Sequence, residues 1–158
     1  MDDVTLARAL HVLAIVFWIG GVAMVTTVLL PAVRRFKSPE EQVAFFEAVE
    51  HRFATQSRVS TLLAGLTGLY MIVRLDLWSR FAELGFWWMH GMVLVWLIFT
   101  AMLFIAEPLF LHRWLRARAK VAPAATFRLI QALHWSLLVL SLLTLFGAVA
   151  GAHGLYFF

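Results

Sequence analysis

The stretch Ala9–Pro31, ALHVLAIVFWIGGVAMVTTVLLP, decides the fold. It carries no charged residue, and at 1.5 Å per residue a run of about 20 apolar residues crosses the hydrocarbon core of a bilayer as a helix. A histidine enters one turn in, a tryptophan follows seven residues later, and two glycines come after it. At helical spacing His11, Trp18 and the flank of Gly21 share one face.

The rest of the chain has the same character. Of its 158 residues, 63% are hydrophobic and 14% charged, more apolar side chain than a water-soluble domain of this size can bury. The expected class is all-α, an integral membrane antiparallel four-helix bundle forming one domain over residues 1–158. Spans are expected at about 10–30, 59–77, 87–109 and 129–149. The absence of cysteine excludes disulfides, thiolate metal sites and Cys nucleophiles, leaving His, Met and carboxylate for any metal. The start, MDDVTLARAL, lacks the basic and small-residue signals of a cleaved leader, so the first helix is expected to be retained.

Between the first two spans, Ser38 followed by Pro39, Glu40 and Glu41 is a helix start: a hydroxyl cap, proline at the first helical position and acids at the positive end of the dipole. The amphipathic segment it opens, about 39–58, either lies on the membrane or lengthens the second span; the lack of a breaker favours the second. Basic residues set the orientation. Arg34, Arg35, Lys37, Arg52 and Arg58 follow span one, and Arg113, Arg116, Arg118, Lys120 and Arg128 follow span three. The opposite side has Arg8, Arg74 and Arg80 against Asp2, Asp3, Asp76 and Glu83. Both termini are therefore expected in the periplasm of a bacterium, the chain lying in the inner membrane. The net charge of +4 belongs to this topology, and no nucleic-acid patch is formed. Small residues (Gly20, Gly21, Thr61, Gly65, Gly68, Gly147 and Gly151) are expected where helices approach closely.

Ionisable groups inside a span are expensive and mark a site by default. His11 and His90 both lie one turn into spans that start on the outer side, on helices expected to be diagonal in the bundle. Such a pair can hold the iron of a haem b placed edge-on, with one imidazole from each side. Trp87, Trp88 and Trp96 could pack on the ring, although tryptophan also favours interfaces. His153 is an alternative partner for His11. His134 and Glu107, at comparable depth on spans four and three, form a proton relay, the polar part of a second site, or a structural hydrogen bond. His51 and His112 are expected to be solvated. Met89, His90 and Met92 suggest Cu(I) ligation, though adjacent helical positions diverge. No Ser-His-Asp set, phosphate loop or carboxylate pair is present, so hydrolysis and phosphoryl transfer have no support.

The pattern of His11, Trp18 and Gly20-Gly21, with RVSTLLAGLTGLYMIV in the second span, resembles the CopD-like membrane proteins of copper resistance. The first helix, with its early histidine and Leu-Pro before basic residues, is more distantly similar to HemJ-type protoporphyrinogen oxidases. The first resemblance implies copper transport or tolerance without haem. The second implies that His11 is an axial haem ligand. The functions carried forward are thus electron transfer or haem redox chemistry with a lipophilic partner such as quinol, or a redox protein, with copper handling and porphyrinogen oxidation as alternatives.

Overall fold

Nothing between Asp2 and Phe36 stops the first helix. In the computed structural model, which describes residues 2–155 except the side chains of Asp2, Glu40 and His51, α1 (Asp2–Met24) runs through a π-helical stretch, Val25–Leu29, into α2 (Leu30–Phe36). The widened turns precede Pro31, whose ring would collide with the carbonyl four residues back in a regular α-helix. Extended backbone at Lys37 and Ser38 then ends the rod.

Helix α3 (Pro39–Arg74) starts as the sequence predicts. The Ser38 backbone N–H and hydroxyl both donate to the Glu41 carboxylate, at 3.1 and 3.0 Å, and proline fills the first turn. With no breaker downstream, the amphipathic segment and the second apolar stretch form one continuous helix. It ends at Arg74, three residues short of the expected Leu77, where Asp76 takes a left-handed φ of 48°.

Two 3₁₀ turns, Trp78–Ala82 and Leu84–Phe86, lead into α4 (Trp87–Ala101). A second π-helical stretch, Met102–Leu111, surrounds Pro108 and passes into α5 (His112–Val121). After Ala122, α6 (Pro123–Ala152) completes an all-helical chain with no strand among the described residues.

Neighbouring rods run antiparallel. Along α3, Phe53 meets Gly21, Gln56 bonds the Phe17 carbonyl, Ala64 meets His11 and Arg74 bonds Asp3. On its other side Glu47 faces Arg116, Arg58 bonds Glu107, and Trp96 bonds the Thr61 carbonyl. Helices α4 and α6 close through Gly91 on Thr144 and Gly147 on Trp87. The upper core joins Ala14, Trp18, Val95, Phe99 and Leu138, with the Trp18 and Phe99 rings edge-on at 5.0 Å. Gly65 admits the Trp96 indole, and a Cβ there would stand 2.6 Å from its Cε2. Gly20 faces open space, so of the glycine pair only Gly21 serves helix packing.

Among the described residues, three helical runs are long and apolar enough to cross a membrane: Asp3–Phe36, Leu84–Val121 and Pro123–Ala152. Helix α3, whose first half is charged, is not among them. The outward faces are apolar, with Val16, Phe17, Leu66, Leu143 and Phe146 each more than half exposed, a surface suited to lipid.

Candidate functional site

One polar centre is built on His11, at the end of the bundle that holds Asp3 and Arg74. Its half-buried imidazole points at α3, with Nδ1 2.9 Å from the Ala64 carbonyl and 3.0 Å from the Thr67 hydroxyl. The Thr67 hydroxyl already donates to the Leu63 carbonyl at 2.6 Å, so both neighbours of Nδ1 act as acceptors. Nδ1 therefore carries the proton and Nε2 keeps a free lone pair. Gly68 lies against the ring; a Cβ there would be 3.2 Å from Cε1. A carbonyl on one ring nitrogen and a lone pair on the other is the support that metal-ligating histidines use.

The other residues expected beside His11 do not converge on it. His90 is exposed and rests edge-on against Phe81 at 5.3 Å. Ala14, Trp18, Val95 and Phe99 fill the space between α1 and α4. The facing imidazole pair expected from sequence is thus not formed: His11 turns to α3, while His90 occupies the outward side of α4. His153, exposed beyond α6, bonds back to the Val149 carbonyl at 2.8 Å. Trp18 and Gly21 belong to the packing, the first against Phe99 and the second under Phe53. Trp87, Trp88 and Trp96 are likewise spent on glycine contacts between helices. Met89 is buried while His90 beside it is exposed, which separates that cluster as helical geometry requires.

A second polar centre is larger, and most of it is not evident from the sequence. Glu107 is buried within the π-helical stretch. Pro108 has no N–H to give the Leu103 carbonyl five residues back, and Arg58 supplies the missing donor: its Nε bonds that carbonyl at 3.1 Å. The same guanidinium reaches Glu107 Oε1 through Nη2 at 2.9 Å. His112 Nε2 lies 3.5 Å from that oxygen and Nδ1 lies 3.9 Å from Glu50 Oε2. Arg116 Nε stands 3.7 Å from Glu47 at the edge of the group.

These residues form a graded acid–base cluster. Burial pushes the Glu50 carboxyl up to about 7, with the Glu107 charge adding to the rise and His112 opposing it. A carboxyl poised there exchanges protons near neutral pH.

Two expectations are corrected here. Glu107 pairs with Arg58 and His112 rather than His134, whose Nδ1 bonds the Ile130 carbonyl at 2.9 Å and whose ring lies edge-on to Phe46 at 5.4 Å. His112 is not solvated but half-buried between two carboxylates. The usable signal was Pro108 directly after Glu107. Glu107 and His112 are five residues apart, which diverges in an α-helix and aligns in a π-helix. The side chain of His51 lies outside the described residues.

No family model, curated protein or solved structure matches the chain.

Proposed function

We propose that the chain is a multi-pass protein of a bacterial inner membrane, a bundle of four membrane-crossing helices with periplasmic termini, and that His11 would hold the iron of a haem b on its outer side. Three apolar helical runs and the apolar outer faces support the membrane reading. The Val59–Arg74 half of α3 supplies the fourth crossing, and the basic loops give the orientation.

The observation that carries the cofactor reading is the His11 tautomer: Nδ1–H held by Ala64 and Thr67, Nε2 free. Haem iron brings four porphyrin nitrogens and needs one or two imidazoles. A bare copper ion needs several protein ligands, and among the described residues no three His, Asp or Glu side chains gather. Haem is therefore preferred to copper, in agreement with the HemJ likeness. His90 does not fit as the opposite ligand, so His11 would hold the iron as the single protein ligand.

When bound, the haem supplies one-electron chemistry, with a quinol or a redox protein as partner. The chain's own part is defined by its contacts. Ala64 and Thr67 fix the imidazole and Gly68 leaves it room, while Glu50, Glu107 and His112 hold exchangeable protons beside Arg58.

The test is the absorption spectrum of purified protein after haem supplementation, oxidised and reduced. A Soret band that shifts on reduction is expected. Bound copper without porphyrin absorbance would replace haem by copper, and neither would remove the cofactor reading.

A further inference from the structure

Several helical hydroxyls in this chain find a partner within their own helix. Thr26, Thr67, Thr126, Ser141 and Thr144 each donate to the carbonyl four residues back, the normal way to hide a hydroxyl in an apolar helix. Ser57, Thr61 and Thr100 do not: their oxygens are buried with no hydrogen-bond partner, and the Trp18 and Trp88 indole N–H groups and one Glu47 carboxylate oxygen share that condition. Ser57, Thr61 and Trp18 are at most 4% exposed. Buried polar atoms are costly unless paired.

Of these, Trp18, Ser57, Thr61 and Thr100 belong to one level of the bundle. Ser57 and Thr61 stand one turn apart on one face of α3. The Trp96–Thr61 bond at 2.9 Å and the Arg58–Leu103 bond at 3.1 Å fix the register of α4 against α3 and place Thr100 opposite Ser57. Trp18 packs on Phe99, next to Thr100, and its neighbour Phe17 is tied to Gln56, next to Ser57. Seven residues, about 10 Å of helix, separate Trp18 from His11 and Thr100 from Glu107.

We infer that Trp18, Ser57, Thr61 and Thr100 line an internal water-binding site that carries protons between the Arg58–Glu107–His112–Glu50 cluster and the outer half of the bundle. The ligand is water, and the transported species is the proton. Each serine or threonine hydroxyl accepts one proton and releases another, so only O–H bonds break and form and no redox partner is required. The indole N–H donates only; it anchors a water oxygen and does not relay. The cluster presents Glu47, Glu50 and Arg58 from α3 and Glu107, His112 and Arg116 from the third rod, an acid–base reservoir at one end. The inference goes beyond the haem reading and needs no metal at His11.

The experiment is proton uptake by phospholipid vesicles containing the full chain, driven by a potassium gradient with valinomycin and read by an entrapped pH dye. Flux several-fold above protein-free vesicles is expected, with a loss of at least tenfold in the Ser57→Ala/Thr61→Val/Thr100→Val variant. Thr100→Ser, which keeps the hydroxyl, is expected to conduct as the parent does. If the triple variant fails to fold, Thr61→Val alone, nearly the same shape, carries the comparison. Parent flux at the protein-free level, or variants that conduct equally while melting at a higher temperature, would mean a dry core and overturn the inference.

Discussion

Nε2 of His112 lies 3.5 Å from Oε1 of Glu107, five residues earlier on the same rod, and that oxygen also accepts the Arg58 guanidinium at 2.9 Å. The spacing works because Pro108 forces the chain into π-helical turns. The same proline leaves the Leu103 carbonyl without a backbone donor, and Arg58 occupies it at 3.1 Å. One arginine thus repairs a backbone defect and neutralises a buried acid.

Arg58→Ala removes both functions at once. It leaves Glu107 and the Leu103 carbonyl buried without a donor, and a loss of about 3 kcal/mol of stability is expected. Arg58→Met with Glu107→Leu, which removes both charges, is expected to cost less than Arg58→Ala. Thermal unfolding in detergent micelles, followed by circular dichroism, measures both. Equal stability of Arg58→Ala and the parent would contradict the pairing.

Glu50 gives the protein a pH-dependent stability of defined sign. Its folded-state value near 7 lies above the ordinary 4.5, so the folded chain keeps a proton that the unfolded chain has lost. Stability is then greatest below about pH 4.5, falls as pH rises through the window to about 7, and levels off above it. Glu50→Gln is expected to flatten that slope. Melting temperatures of parent and variant between pH 4 and 8 check it; a parent slope that persists in Glu50→Gln would assign it elsewhere.

Glycines at different contacts respond oppositely to a methyl group. Gly65→Ala drives a Cβ into the Trp96 indole and disturbs its bond to the Thr61 carbonyl, at an expected cost of about 1–3 kcal/mol. Gly20→Ala meets no atom within 4 Å and is expected to stabilise the helix by up to about 1 kcal/mol. Melting temperatures of the two variants are the comparison, and a similar loss in both would contradict the packing described.

The long apolar runs were legible because hydrophobic length and basic loops are properties of the sequence itself. The Ser38–Glu41 start was legible because capping is local. Helix α3 was less so: its charged half is stabilised by partners distant in sequence, Arg116 for Glu47 and His112 for Glu50. His11 was found because an imidazole in an oily run is conspicuous, but its direction depends on the α1–α3 register, fixed by Ala64 and Thr67. Depth alone paired it with His90. The Glu107–His134 pairing failed likewise, because Glu107 sits inside a π-helical stretch that begins at Met102 and turns it away from the direction an α-helical projection gives.

The absence of native cysteine makes the topology directly measurable. Single cysteines at Ala122, between α5 and α6, and at Glu83, before α4, are expected on opposite sides. In intact spheroplasts a membrane-impermeant maleimide should label Glu83→Cys and spare Ala122→Cys. The reverse pattern would invert the orientation, and labelling of both would break the crossing between them.

We propose His11, through Nε2, as the residue that would hold a haem without His90 as its opposite. The most direct measurement is the Soret absorbance of haem-supplemented parent, His11→Ala and His90→Ala proteins at equal helicity. A band lost in His11→Ala and kept in His90→Ala is expected. A band that survives the loss of His11, or one that needs His90 equally, would contradict it.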